Sequence, residues 1–284
     1  MGGAMTIPEG KRAAAGLSAN AIKWIAIAAM LADHIAYLFL PEASLGGIVL
    51  HFFGKLTAPV MCFFIAEGYF YTRSVKRYAL RLALFAAVSQ LPYQLLVWKG
   101  ELRFFPPVLN MMFTLLCGLL SLLAWERIQE EQKRRLALLG LCLATLLADW
   151  QFFGVLFVAA FGILRGDRRR QLWAYAALAA SRLVYFAAGT LLSGDWYAMV
   201  FIREPGMLMP SLWAMLLSRA GMFLAVPLLL CYNGKRTGKG TIPARTADQT
   251  PRDAAMRGAM NKWLFYLFYP IHMLVLVFIF LSLA

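Results

Sequence analysis

Lys23-Trp24-Ile25-Ala26-Ile27-Ala28-Ala29-Met30-Leu31-Ala32-Asp33-His34-Ile35-Ala36-Tyr37-Leu38-Phe39-Leu40 is apolar throughout, apart from the ionisable side chains of Lys23, Asp33 and His34. As a helix, a run of this length covers the ~30 Å hydrocarbon core of a bilayer. A surface helix of a soluble domain would instead carry a polar face. The same texture recurs along all 284 residues, of which 61% are apolar and 15% charged, with a mean hydropathy of +0.66. Soluble domains carry roughly 45–50% apolar and about 25% charged residues. The composition excludes a soluble enzyme, a disordered chain and a disulfide scaffold. The fold class it implies is all-α, a polytopic integral membrane helix bundle.

Nine apolar stretches are long enough to be read as spans: 22–40, 48–72, 78–97, 108–125, 136–148, 151–165, 172–192, 211–232 and 262–284. The fifth and sixth are short and meet at Asp149-Trp150-Gln151, as a tight hairpin or as tilted, partly re-entrant helices. With a cytoplasmic N-terminus the inner segments collect 20 basic residues and the outer loops only Lys99, Arg103 and Arg203. That bias obeys the positive-inside rule and places the C-terminus outside. The excess of basic residues, a net +14, therefore reads as cytoplasmic loops and not as a nucleic-acid surface. The expected organisation is a cytoplasmic tail, 1–21, followed by a single transmembrane domain, 22–284, with a flexible cytoplasmic loop over 233–261. Lys11 and Arg12 before the first span faintly suggest a signal peptide, but the span is too long and has no small-residue cleavage site. Cys62, Cys117, Cys142 and Cys231 lie in apolar runs with no metal-ligand neighbours, so they read as packing residues and no metal is expected.

The charges left inside the spans carry most of the functional information: Lys23, Lys55, Arg81, Arg182, Arg219, Asp33, Glu67 and the three histidines, His34, His51 and His272. Each charge at mid-bilayer costs about 2.5–3.5 kcal/mol on insertion scales, so such residues face the bundle interior and serve function. Lys23 and His34 are eleven residues apart, about 20° of helical offset and about 16 Å of rise, which puts them on one face at two depths. The bland reading is a snorkelling lysine and an interhelical histidine bond. His272 and Arg182 are expected at a depth like that of His34, with Lys55 and Arg219 nearer the outer face. Pro270 should bend the last helix and free backbone acceptors beside His272. Glu67 is expected to pair with Lys23, His51 to sit at the interface, and Arg81 to act as a snorkelling anchor. No Walker, dinucleotide, zincin or nucleophile-elbow motif is present.

The first-span pattern, with Gly54-Lys55-Leu56-Thr57-Ala58-Pro59, Ala66-Glu67-Gly68 and Thr72-Arg73, resembles the TraX family, named for N-terminal acetylation of conjugative pilin. Further matching blocks are Tyr78, Arg81-Leu82, Ser89-Gln90, Pro92, Asn110, Thr114-Leu115, Lys262-Trp263, Phe265-Tyr266 and Tyr269-Pro270-Ile271-His272. Spans five to eight resemble the family in little beyond hydropathy. Lys55 stands where the family more often has arginine, which keeps the charge but loses the bidentate fork. The family is also similar to wider transmembrane acyltransferases, the acyltransferase-3 type and heparan-glucosaminide N-acetyltransferase, whose first span carries a basic residue and then a deep histidine.

The resemblance implies a bacterial cytoplasmic-membrane acyltransferase that uses acetyl-CoA or another acyl-CoA as cytosolic co-substrate. It does not supply the acceptor, which can be a pilin-like peptide amine, a glycan or a lipid headgroup. In this reading His34 is the general base, with Asp33 and His272 beside it. Lys23, Arg73, Lys76 and Arg77 meet the CoA phosphates, and Lys55, Glu67, Arg182 and Arg219 serve the substrate or the developing oxyanion. The alternative is a proton-coupled transporter or flippase of an anionic solute. A purely structural membrane protein is the third reading, and it leaves the buried titratable residues unexplained.

Overall fold

In this computed structural model the described residues are 16–103, 105, 108–203, 207–234 and 251–283. Lys11 and Arg12 of the tail, and residues 235–250 of the loop expected to be flexible, lie outside them. In chain order the helices are α1 (Ala19–Phe39), α2 (Leu45–Gly54), α3 (Thr57–Tyr71), α4 (Val75–Val88), α5 (Gln90–Val97), α6 (Met111–Arg127) and α7 (Glu131–Ala144). They continue as α8 (Gln151–Ile163), α9 (Arg168–Leu191), α10 (Trp196–Phe201), α11 (Ser211–Ala220), α12 (Ala225–Leu230) and α13 (Pro251–Leu283). No strand occurs among the described residues.

Among the described residues six helical segments are long and apolar enough to cross a membrane: Ala19–Phe39, Leu45–Tyr71, Val75–Val97, Arg168–Leu191, Ser211–Leu230 and Trp263–Leu283. The other three sequence-derived spans correspond to α6, α7 and α8, of 17, 14 and 13 residues. Polar caps start several helices. Ser18 accepts from Ala21 N–H, Ser44 from Gly47, Ser74 from Arg77, Asn110 from Met112 and Asp167 from Arg170. Each satisfies a backbone donor that the first helical turn leaves open.

Three long apolar runs are broken inside the bundle. The run 45–71 breaks at Lys55-Leu56, because Pro59 has no N–H to give the Lys55 carbonyl. Pro92 likewise leaves the Val88 carbonyl without its helical donor, and the chain breaks at Ser89. Between α11 and α12 a 3-10 turn spans Gly221–Leu224. Gly221 lies against the Phe52 backbone so closely that a Cβ there would overlap the Phe52 carbonyl.

Helix directions follow from paired contacts. Along α1 and α13, Trp24 packs on Phe265, His34 on His272 and Phe39 on Phe280, so the two helices run parallel. Helices α6 and α8 also run parallel, with Gly154 against Thr114, Gly118 against Val158 and Gly162 against Leu122. Between them α7 returns the chain, and Leu109 bridges Ala148 at the end where α6 and α8 both begin. The main core joins these elements through Ile22, Val60, Phe63, Leu119, Phe157, Phe161, Tyr175, Met222 and Met273. Large apolar side chains such as Leu80, Trp173, Val184 and Phe278 face outward, as a lipid-facing surface requires.

Candidate functional site

At the centre of the α1–α13 contact, His34 Nδ1 and His272 Nε2 lie 2.7 Å apart. The imidazole planes differ by 3° at a centroid separation of 4.9 Å, the geometry of an in-plane N–H···N bond. His272 Nδ1 is 2.7 Å from Phe268 O. A carbonyl can only accept, so His272 Nδ1 carries the proton, and the tautomer assignment propagates from there. Neutral His272 then presents an unprotonated Nε2, to which His34 Nδ1–H donates. His34 Nε2 is left as the basic lone pair at the end of the chain. Helix α13 places this acceptor carbonyl because His272 lies four residues, about one turn, beyond Phe268. The ring of Phe268 covers His272, with planes 8° apart at 4.7 Å.

Asp33 points away from this pair, as the 100° step along a helix requires. Its Oδ1 accepts from His51 Nδ1 at 2.7 Å and from Lys55 Nζ at 2.9 Å, while Oδ2 accepts from Lys55 at 3.1 Å. Gly54 makes room for the carboxylate, since a Cβ there would overlap the Asp33 side chain. His51, expected at the interface, thus faces the interior of the bundle. It is 6% exposed, because the break at Lys55-Leu56 lays α2 along α1 and turns its imidazole inward.

A cavity of about 570 Å³ opens at the end of the bundle where α1 begins. Its wall includes Lys23, Glu67, Arg73, Arg77, Arg81 and Tyr266, so it gathers most of the basic residues expected to bind a donor. Lys23 Nζ stands 4.8 Å above the Phe64 ring and 5.7 Å from that of Phe265. Glu67, expected beside Lys23, accepts from Arg165 Nε at 3.1 Å. Lys76 is exposed and lies outside this wall. Arg81, expected to act as a snorkelling anchor, lies in the wall with its guanidinium over Tyr78, 5.5 Å from the ring centre. Its helix, α4, starts at Ser74 and is buried on the face that carries Tyr78, Leu82 and Phe85, which turns the next turn of basic residues toward the cavity.

A second cavity, of about 300 Å³, lies toward the other end of α1. Lys55, Arg182 and Arg219 line it together with Tyr93, Asp149, Trp150 and Gln151. Arg182 is 8% exposed, donates to Trp150 O at 3.3 Å and stacks over the Trp150, Phe153 and Phe186 rings. Arg219 pairs with Glu42 at 3.3 Å. Asp149 went unnoticed as a site residue because it falls between two apolar stretches and reads as a turn. Burial pushes its carboxyl above the ordinary carboxylate range, while Lys55 and Arg182 pull it partway back. No group of three or more metal-ligating side chains occurs among the described residues.

The expected site residues thus separate into a central histidine pair beside an Asp33–His51–Lys55 cluster, a basic cavity at one end and a mixed-charge cavity at the other. Such a fold and site define a class: a helical membrane protein with buried titratable groups set between two polar cavities. The chain belongs to the TraX family, whose model, described as TraX protein, matches residues 18–280. It is similar to the probable fimbrial assembly protein FimC, serogroup H1, of Dichelobacter nodosus, with 31% identity over 264 residues, covering 91% of this chain and 94% of that one. No solved structure matches the chain.

Proposed function

We propose that this protein is an integral-membrane acyltransferase that moves an acetyl or other acyl group from acyl-CoA to an amine or hydroxyl acceptor. The observation that carries this reading is the Phe268 O–His272–His34 chain, which leaves His34 Nε2 as a base deep in the membrane. As the acceptor attacks the thioester carbonyl, His34 Nε2 takes its proton. Collapse of the tetrahedral intermediate expels CoA as thiolate, and the imidazolium returns the proton to give free CoA thiol. The donor occupies the basic cavity, where Lys23, Arg73, Arg77 and Arg81 meet its phosphates by charge-assisted bonds. The name of the family and that of the Dichelobacter relative support a fimbrial or pilin subunit amine as the acceptor. A carrier for an anionic solute would not cleave acyl-CoA. Purified protein should form acyl product and free CoA from acyl-CoA and a pilin-type peptide amine, and an absence of turnover with intact binding would favour the carrier.

The donor cavity faces the cytosol in a nine-span topology with the N-terminus inside and the C-terminus outside. Charge asymmetry supports it, and so does the parallel course of α1 and α13, which requires an odd number of crossings. Six crossings would set those helices antiparallel, which supports a reading in which an odd number of α6, α7 and α8 also cross. The up-down-up course of these three supports all of them doing so. Reporter fusions after residues 44, 104 and 203 should read as external, and those after 75, 130 and 245 as cytoplasmic. A cytoplasmic signal from a fusion at the C-terminus would overturn this topology.

Donor binding should be electrostatic. Arg77→Ala, at an exposed position on the cavity wall, is expected to weaken acyl-CoA binding about three- to tenfold without loss of fold. Affinity of the unmodified protein should also fall as salt rises from low to physiological strength. Affinity indifferent to both would place the donor elsewhere.

A further inference from the structure

The second cavity has a chemistry the donor does not use. Its wall carries three cations, Lys55, Arg182 and Arg219, against one carboxylate, Asp149. Lys55 is shared with Asp33, and Arg219 with the half-exposed Glu42. Arg182 is buried, and one of its five donors goes to Trp150 O. A buried guanidinium whose hydrogen bond goes only to a neutral carbonyl is better offset by an anionic oxygen, to which Arg182 can donate beside Arg219. Arginine forks match planar or tetrahedral oxyanions.

The opposite demand comes from the turn beside it. Gln151 Oε1 is buried with no hydrogen-bond partner, and its residue lines the cavity. Asp149, from the same turn, adds a second acceptor. The turn holds two non-glycine residues at positive φ, Trp150 at 63° and Gln151 at 49°, a conformation seldom adopted without a reason in the surrounding structure. An unsatisfied buried acceptor and a carboxylate call for N–H or O–H donors. The inner wall of the cavity reaches Lys55, whose ammonium is bonded to Asp33, the residue preceding His34.

We propose that this cavity is the acceptor site, and that the acceptor carries its nucleophilic amine or hydroxyl close to an oxyanion, phosphate or carboxylate. The oxyanion lies against Arg182 and Arg219, and an N–H or O–H that the acceptor keeps through the reaction faces Gln151 and Asp149, the proton it loses going to His34 Nε2. The assignment rests on the acyl-transfer reading for its meaning but not for its test.

The test is binding without acyl-CoA. Purified full-length protein is titrated with 2-aminoethyl phosphate and with β-alanine, each against ethanolamine, which has the amine and lacks the oxyanion. At least one of the two probes should bind about tenfold or more tightly than ethanolamine, and that preference should be lost in Arg219→Gln. Gln151→Leu should weaken the amine-bearing probes while acyl-CoA binding on the same sample is retained. Where Arg182→Gln fails to fold, the partly exposed Arg219 and Gln151 carry the test. Repeating the titration in bilayer discs of phosphatidylethanolamine and of phosphatidylcholine separates a lipid headgroup, which would displace the probe only in the former, from a soluble acceptor. Equal affinity for ethanolamine and both probes overturns the proposal, as does a preference that survives Arg219→Gln. Acyl-CoA that binds but is not turned over would instead undermine the acyl-transfer reading and leave these affinities unchanged.

Discussion

His34→Ala should lower acyl transfer by roughly 10²–10⁴, the usual contribution of a positioned general base, while acyl-CoA affinity stays close to that of the unmodified protein. The reason is positional. His34 is bonded to His272 in the interior, and neither imidazole lies in the wall of the basic cavity. Removing it takes a group from the transition state and none from the donor's resting contacts, so the single-turnover rate falls with unchanged binding. His272→Ala should cost less, because it removes the acceptor that orients His34 Nδ1–H without removing the base itself. The rate of the unmodified protein should fall on the acid side as the base takes up a proton. The decisive measurement is acyl-CoA affinity and single-turnover rate on one folded His34→Ala sample. Retained transfer in that sample would sink the proposed chemistry. A parallel loss of stability, binding and turnover would assign the pair a purely structural role.

The second large effect is on stability. Asp33→Ala leaves Lys55 and His51 facing an interior that has lost their shared carboxylate. Breaking a buried pair by removing one partner costs about 3–5 kcal/mol. The Asp33 and Lys55 side chains retain 20% and 24% exposure, which sets the expectation at the lower end of that range, about 3 kcal/mol. Lys55→Met in the same chain removes the stranded ammonium and should restore about half of the loss, a coupling that a double-mutant cycle reads directly. Unfolding of detergent-solubilised protein measures all three variants. A loss below about 0.5 kcal/mol for Asp33→Ala would mean that water screens the cluster as it does a surface pair.

Which residues would stand out from the apolar background could be read from the chain because of what a bilayer does to charge. Lys23, Lys55, Arg182, Arg219, Asp33, Glu67, His34 and His272 stand out against apolar neighbours, and each is held in the interior by a partner, a ring or a cavity wall. The same argument misjudged residues close to helix ends. His51 and Arg81 sit where a straight helix would reach the surface, so an interfacial role followed from depth alone. A broken helix turned His51 inward, and the buried face of α4 turned Arg81 toward the cavity. Asp149 gave no signal, since an acid between two apolar stretches is what any turn contains.

By itself the sequence determined that the chain is a helical membrane bundle, that ionisable residues lie inside its apolar runs, and that Lys23 and His34 share a helix face. These follow from hydropathy and from a fixed helical period, both local properties. The tertiary structure alone decided which partners those charges take. His34 meets His272 across 238 residues, Asp33 turns to His51 and Lys55 instead of to His34, and the remaining basic residues divide between two cavities. Such pairings depend on where helices break, at Lys55-Leu56 and Ser89, and on how closely a glycine such as Gly221 lets two backbones approach. No periodicity encodes them, because they are set by packing between segments far apart in the chain.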